Sequence, residues 1–243
     1  MNKKQKILVI GSSGDIGTHL VKDLVYNNLL FAHINKSKTE LSKIENDNIT
    51  ILQKEIKSQK DCKEVVYKAH KHMKGLDVIV ILIGGITKLV SWTNISEKNW
   101  NNDVSLNLSY PFFLAQEAFK LMKKNGGKII FCSTASALYG GGKESIAYGI
   151  SKYGLEFLTK RLAKDGAIKN ILVNTVAPGF IDSKLHRNKL KKSNKDFSKR
   201  VKLIPLNRAG TPKEVSSVLK FLISNNSSYI TGEIIRVSGG DWL

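Results

Sequence analysis

The sequence predicts an α/β protein built on a doubly wound, parallel, seven-stranded sheet in a single domain spanning residues 1–243. Three observations predict it. Seven short apolar runs (residues 7–10, 29–34, 49–52, 78–83, 128–132, 172–176 and 234–237) alternate with longer stretches of helical period, the pattern of a parallel sheet covered on both faces. Crossovers of one hand then place helices on the two faces in turn. The first run passes directly into a glycine-rich turn, and 243 residues that are 42% hydrophobic suffice for one large core without repeats, low-complexity tracts or linkers.

The first strand leads into Gly11-Ser12-Ser13-Gly14-Asp15-Ile16-Gly17 and then a helix carrying Leu20, Val21, Leu24 and Val25. Glycines at a strand-to-helix turn let backbone approach a pyrophosphate, and the helix N-terminus adds unpaired N–H groups and a positive dipole end. Gly11, Ser13, Asp15, Ile16 and Gly17 are therefore candidate dinucleotide contacts. The second strand ends at His33-Ile34-Asn35-Lys36-Ser37-Lys38, where an acid would select NAD by its ribose hydroxyls. No acid stands there. Asn35, Lys36 and Ser37 suit a 2′-phosphate, which favours NADP while leaving NAD possible; the alternative is a lysine-rich turn without selectivity. Glu55, just after the third strand, falls where an acidic side chain meets an adenine.

Around Asn107 the chain reads Ser105-Leu106-Asn107-Leu108-Ser109-Tyr110-Pro111, followed by a helical run with Phe112, Phe113, Ala115, Phe119 and Leu121. Pro111 has no N–H to offer the Asn107 carbonyl four residues back. That predicts either a simple kink or a water held by Asn107. The fifth strand ends at Cys132-Ser133-Thr134-Ala135-Ser136, so a hydroxyl of Ser133 or Thr134 lies at the mouth of the crevice above a parallel sheet. Ile83 and Gly84 occupy the corresponding end of the fourth strand.

Tyr148-Gly149-Ile150-Ser151-Lys152 precedes Leu155, Leu158, Leu162 and Ala163, so it opens a helix on which Tyr148 and Lys152 share a face. A cation beside a phenol favours the phenolate and lowers a pKa that is ordinarily about 10. The pair predicts proton exchange with a carbonyl or alcohol. After the sixth strand, Pro178-Gly179 makes a tight turn toward Ile181 and Ser183. Residues 184–202 then carry nine lysines or arginines and one aspartate. A basic lid over about 184–204 is expected, against a solvated helical hairpin.

Other classes are excluded or disfavoured. No charged leader with an apolar stretch and cleavage site stands at the N-terminus, and the longest apolar run is too short to span a bilayer. Cys62 and Cys132 show neither pairing nor metal spacing, so they are expected as reduced thiols in a cytoplasmic protein that holds no metal. The net charge of +19 suits an acidic partner or reflects a bias toward lysine; no aromatic-basic pattern or nucleic-acid motif accompanies it.

Taken together, the glycine loop, Asn107, Thr134, Tyr148 with Lys152, Asn174 with Pro178-Gly179, and the 204–215 and 228–240 stretches resemble the compact single-domain form of the short-chain dehydrogenase/reductase family over residues 5–243. The resemblance implies a Rossmann-type sheet and an oxidoreductase moving a hydride between NADP(H) and a carbonyl or secondary alcohol. It implies Tyr148 as proton donor or acceptor, Lys152 lowering its pKa and binding the nicotinamide ribose, Asn107 holding a water, the Thr134 hydroxyl (with Ser133 adjacent) orienting the carbonyl, and Ile181 and Ser183 at the nicotinamide amide. Homodimers or tetramers through the helices after Asn107 and Tyr148 are implied as well. Substrate candidates are a 3-oxoacyl group on a carrier protein and a sugar or polyol. Three positions depart from the family pattern: Asp15 replaces the middle loop glycine, Ile81-Leu82-Ile83-Gly84 replaces Asn-Asn-Ala-Gly, and Ser238 precedes Gly239-Gly240 in place of aspartate. They motivate the alternative of a non-catalytic or regulatory dinucleotide-binding protein.

Overall fold

The computed structural model describes residues 4–36, 40–122, 124–183 and 194–241. Ser37 and the first half of the expected lid, 184–193, lie outside the described residues.

Seven strands form one sheet: β1 (Lys6–Ile10), β2 (Leu29–Ile34), β3 (Ile49–Gln53), β4 (Val78–Ile81), β5 (Gly127–Cys132), β6 (Ile171–Pro178) and β7 (Ile234–Val237). All neighbours pair in parallel, in the order β3-β2-β1-β4-β5-β6-β7. Central strands of a parallel sheet are covered on both faces, which is why β4 reads Val78-Ile79-Val80-Ile81 without polar alternation and is buried throughout. In β1, Leu8 and Ile10 point to a cluster with α2 (Gln59–Met73), α4 (Tyr110–Met122) and α5 (Ile146–Ala167). Ile7 and Val9 point to the opposite cluster with α1 (Asp15–Leu24) and α7 (Pro212–Ile223). Each such fully buried aliphatic side chain contributes roughly 1.5–3 kcal/mol. The chain winds outward from β1 through β2 to β3, then returns to place β4 on the other side of β1. A ligand crevice belongs at that reversal.

Two local departures shape the crevice. The fourth strand stops at Ile81 rather than 83; the Leu82 N–H still donates to the Ile10 carbonyl, at 2.9 Å, but the chain then leaves through Gly84 and Gly85 at φ +152° and +150°. Such angles suit glycine alone. The second departure follows α3 (Glu97–Val104). Over Ser105–Ser109 the helix widens to a π-turn, with the Tyr110 N–H donating five residues back to Ser105. Pro111 accounts for it, because a proline in a helix removes one donor and crowds the turn before it. Residues of the expected lid that are described form α6 (Asn194–Val201).

Candidate active site

The glycine loop is held by β2: the N–H groups of Gly11 and Ser12 both donate to the His33 carbonyl, at 3.2 and 2.9 Å. Gly11 has φ +82°, and a Cβ there would come within 3.0 Å of the Ile83 nitrogen. At Gly17 a Cβ would stand 2.8 Å from the Gly11 oxygen. Both glycines are thus required for the loop to lie against its own helix and the end of β4. Gly14 caps α1 without a side chain, leaving Asp15 as its first residue. Backbone N–H groups at this helix N-terminus fit a pyrophosphate, provided the Asp15 carboxylate is turned aside from it.

Asn35 and Lys36 are exposed at the tip of β2. Lys36 lies 3.2 Å from Glu55, which also meets Lys57 at 2.8 Å. Hydrogen bonding to Lys57, and to a lesser degree Lys36, holds the Glu55 carboxyl below its usual pKa. Glu55, expected at the adenine, is here engaged by lysines.

At the other end of the crevice the polar groups are buried. Asn107 accepts from the Gly85 N–H (2.8 Å) and donates to the Gly85 carbonyl (2.9 Å) and to that of Asp103 (2.8 Å). The side chain thereby clamps the glycine exit of β4, a role the sequence did not indicate. Ser133 and Thr134 part company. The Ser133 hydroxyl lies 3.0 Å from both the Lys152 carbonyl and Glu156 Oε1, so its single proton is committed to acceptors on α5. Ser133 also lines the cleft, but these contacts favour Thr134 as the hydroxyl open to a substrate. Thr134 Oγ1 lies 3.2 Å from Ser136 Oγ and 3.4 Å from the Pro178 carbonyl, at the mouth of the crevice.

Tyr148 and Lys152 occupy the first two turns of α5 and face the same cleft. Their electrostatics differ from the expectation. The Lys152 ammonium donates to the Cys132 carbonyl at 2.8 Å and approaches that of Ile83 at 3.4 Å; it lies 5.8 Å from the centre of the Tyr148 ring. Burial pushes the Tyr148 phenol above its ordinary pKa, the Cys132 side chain adding to the rise, while a hydrogen bond with Thr134 pulls it down. Burial also lowers the pKa of Lys152. In this structure the lysine does not acidify the phenol: its charge is turned to backbone carbonyls, and the low-dielectric site favours the protonated tyrosine.

These groups share a cleft of about 420 Å³ with Thr134, Pro178, Gly179, Ile181 and Ser183. Gly84 lies in its wall, where an added Cβ would stand 2.5 Å from Lys152 Nζ and 2.8 Å from Asn107 Oδ1. Ile16 reaches the cleft from the glycine loop. Ile83, expected there, instead packs against the core and beneath Gly11, while Leu82, Gly85 and Ile86 take the lining positions.

Residues 16–241 match the family model described as enoyl-(acyl carrier protein) reductase. The chain is 34% identical over 237 residues to the 3-oxoacyl-(acyl-carrier-protein) reductase FabG of Rickettsia conorii, covering 96% of this chain and 95% of that one. It is 31% identical over 243 residues to nodulation protein G of a Rhizobium species, covering 97% and 96%. The chain belongs to the short-chain dehydrogenase/reductase family. Among solved structures, a short-chain type dehydrogenase/reductase from Mycobacterium ulcerans superposes with a TM-score of 0.88 at 23% identity, covering 98% of this chain and 90% of that one. ElxO with NADP bound gives 0.88 at 24% identity, with 98% of each chain covered. These likenesses agree with the fold described above.

As a short-chain dehydrogenase/reductase the protein is an NAD(P)-dependent oxidoreductase. The crevice contains groups the sequence reading did not single out. Ser136, Gly141, Gly142 and Ser145 approach from the loop before α5, and Phe180 and Arg200 from the far side. A glycine pair at 141–142 and serines near a strand tip were visible signals. Arg200 had none, because it stood among many similar cations.

Proposed function

We propose that the protein catalyses the NADPH-dependent reduction of a 3-oxoacyl thioester, presented on an acyl carrier protein, to the 3-hydroxyacyl thioester. The observation that carries the reading is the convergence of Tyr148, Thr134 and Lys152 on one cleft that opens beside the glycine loop. The names of the relatives at 34% and 31% identity support the carrier-bound substrate over a sugar or polyol only through the first of them.

When bound, the nicotinamide supplies a hydride; the protein orients the substrate and manages the proton. Gly11, Ser13, Asp15, Ile16 and Gly17 would hold the pyrophosphate through their backbone at the N-terminus of α1, the Asp15 carboxylate facing away. Asn35 and Lys36, with Ser37, would hold a 2′-phosphate, which competes with Glu55 for the Lys36 cation. Gly84, Pro178, Gly179, Ile181 and Ser183 would surround the nicotinamide end. The Thr134 and Tyr148 hydroxyls hold the substrate carbonyl oxygen. A phenol is protonated near neutrality, and burial does not favour its phenolate, so Tyr148 serves the reduction as the proton donor. Its proton passes to the substrate oxygen as negative charge develops there, and the C=O bond becomes C–OH. Lys152 then relays a proton back to Tyr148, with the carbonyl of Asn107, which Pro111 cannot satisfy, as the proposed water site on the route to solvent.

The basic 184–202 segment suits an acidic carrier. Phe112, Phe119 and Leu162 line a groove on the outer surface of α4 and α5, and Phe157 is exposed beside it, which supports a homodimer or homotetramer through these helices. The unpaired thiols of Cys62 and Cys132 suit the cytoplasm. Nucleic-acid binding through the basic surface gains no support from the site.

Titration of the protein with NADPH and with NADH, followed by turnover of acetoacetyl thioester on a carrier protein and of a ketose panel, tests the reading. NADPH is expected to bind tighter, roughly tenfold or more, and the thioester to be reduced. Preference for NADH overturns the cofactor assignment; turnover of ketoses alone overturns the substrate. Tight cofactor binding with no turnover of any carbonyl supports the regulatory alternative.

A further inference from the structure

On the substrate side the cleft is walled by α6, and α6 is held by the C-terminal segment. Arg200 and Lys152 are the two cationic side chains in the lining among the described residues. Lys152 is accounted for by the backbone carbonyls it bonds. The Arg200 guanidinium pairs with Asp241, whose side chain is 5% exposed, and sits 5.6 Å from the centre of the Phe180 ring. Phe180 in turn packs on Phe197 of the same helix, ring centres 4.9 Å apart.

The partner acid is itself well anchored. The Asp241 N–H donates to the Ser238 carbonyl at 3.2 Å, and Ser238 Oγ donates to the Asp241 carbonyl at 3.2 Å. Ser238 lies tight against β6, where a Cβ on Gly179 would come within 2.8 Å of Ser238 Cα. Gly239 accepts from the Leu206 N–H at 3.1 Å. A line of contacts therefore runs from the Pro178-Gly179 turn, through the C-terminal turn, to the Arg200–Asp241 pair on α6. The helix also carries Lys195, Asp196 and Lys199, with Asp196, Ser198 and Lys199 exposed.

We propose that Arg200 is a positioning residue for the reduction: its pair with Asp241 fixes α6 as the substrate-side wall of the cleft. The substrate tail is then held between Phe180 and the loop carrying Gly141 and Gly142. Loss of either partner loosens α6, which then keeps the Phe180–Phe197 contact, and leaves the other charge without its counterpart in a mostly buried place. The adenosine end of the cofactor site, at the tip of β2, lies on the other side of β1 and is not touched. The proposal concerns the substrate half of the site read above and rests on that reading only for the choice of substrate.

The test compares wild type with Asp241→Asn, an isosteric change, and with Arg200→Met and Arg200→Lys. Steady-state kinetics with NADPH and acetoacetyl thioester, NADPH binding, and amide hydrogen exchange are measured on each full chain. For Asp241→Asn and Arg200→Met, the thioester KM is expected to rise roughly tenfold while kcat and NADPH affinity stay within about twofold. The amides of α6 are expected to exchange at least about tenfold faster while those of α7 are unchanged. Arg200→Lys, which keeps the charge, is expected to recover most of both effects. Unchanged α6 protection overturns the proposal, as does a loss of protection in α7 by the same factor, which would mark general destabilisation. If no thioester is turned over by wild type, the reductase reading fails while the exchange result still decides the role of the pair.

Discussion

The two ends of the cleft are built by opposite means. At the β5–α5 end, Asn107, Ser133 and Lys152 are buried, and each has its polar atoms matched to a backbone or side-chain partner at about hydrogen-bond distance. At the β2–β3 end, Asn35 and Lys36 stand in solvent and the ordering contact is the Lys36–Glu55–Lys57 chain of ion pairs. Exposed pairs contribute roughly 0–1 kcal/mol, whereas a buried polar group left unmatched costs about 1–3 kcal/mol. The geometry of proton transfer is therefore fixed by the fold itself. The surface charges at the β2–β3 end, proposed to choose the cofactor, can be exchanged with little disturbance to the fold.

The contrast can be broken first at Lys152. Replacing it with Met removes the cation while leaving the Cys132 and Ile83 carbonyls without their donor. Turnover is expected to fall by about 10²–10⁴, with a measurable drop in melting temperature; retention of both would dissolve the distinction between the ends. Gly84→Ala should come next. Its Cβ would press on Lys152 Nζ and Asn107 Oδ1 from a φ of +152°, so activity and stability should fall together, by calorimetry about 1–3 kcal/mol.

The adjacent hydroxyls sharpen the same contrast within one strand tip. Thr134→Val should lower kcat about 10²-fold with little change in melting. Ser133→Ala should instead lower stability by about 1–3 kcal/mol, because Glu156 loses a buried partner. The reverse pattern would restore Ser133 as the reacting hydroxyl.

Between the two ends lies His33, whose carbonyl holds the glycine loop and whose Nε2 sits 2.8 Å from the Lys54 carbonyl. Burial lowers its pKa below 6.5, with the Lys54 charge adding to the fall against the backbone hydrogen bond. A histidine neutral in the fold binds fewer protons than in the unfolded chain over the window from 6.5 down to its lowered value. Stability contributed by this group is thus full above about pH 6.5 and declines by up to about 1.4 kcal/mol per pH unit as the pH falls through that window. Melting curves between neutral and mildly acid pH should show the slope in wild type and lose it in His33→Gln.

The smallest effect is expected at the open end. Lys36→Ala should weaken NADPH binding several-fold and leave NADH binding alone, with stability inside about 0.5 kcal/mol. Equal weakening of both cofactors would remove Lys36 from the 2′-phosphate site.

What the sequence could show follows from the range of the interactions involved. Strands buried on both faces announce themselves as unbroken apolar runs, and a Tyr-x-x-x-Lys pair is a local helical fact. Gly11 and Gly17 stood out because only glycine tolerates their contacts. Ser133 and Thr134 look alike in the sequence, since which hydroxyl is taken up by α5 depends on how β5 packs against that helix. The acceptors of the Lys152 ammonium are carbonyls 20 and 69 residues away, and no side-chain pattern marks a backbone oxygen. For that reason the expected acidification of Tyr148 gave way to a phenol kept protonated by burial. The end of β4 is hidden in the sequence because Leu82 and Ile83 continue the apolar run two residues past Ile81, where the strand stops. Arg200 was hidden by the abundance of cations around it.

The account stands on Tyr148 as the proton donor of the reduction. A Tyr148→Phe chain, which keeps the ring and its packing, should bind NADPH as wild type does and melt at nearly the same temperature. In single-turnover oxidation of bound NADPH by acetoacetyl thioester it should be slower by about 10²–10⁴. A rate equal to wild type, with the cofactor bound and the fold intact, would contradict it.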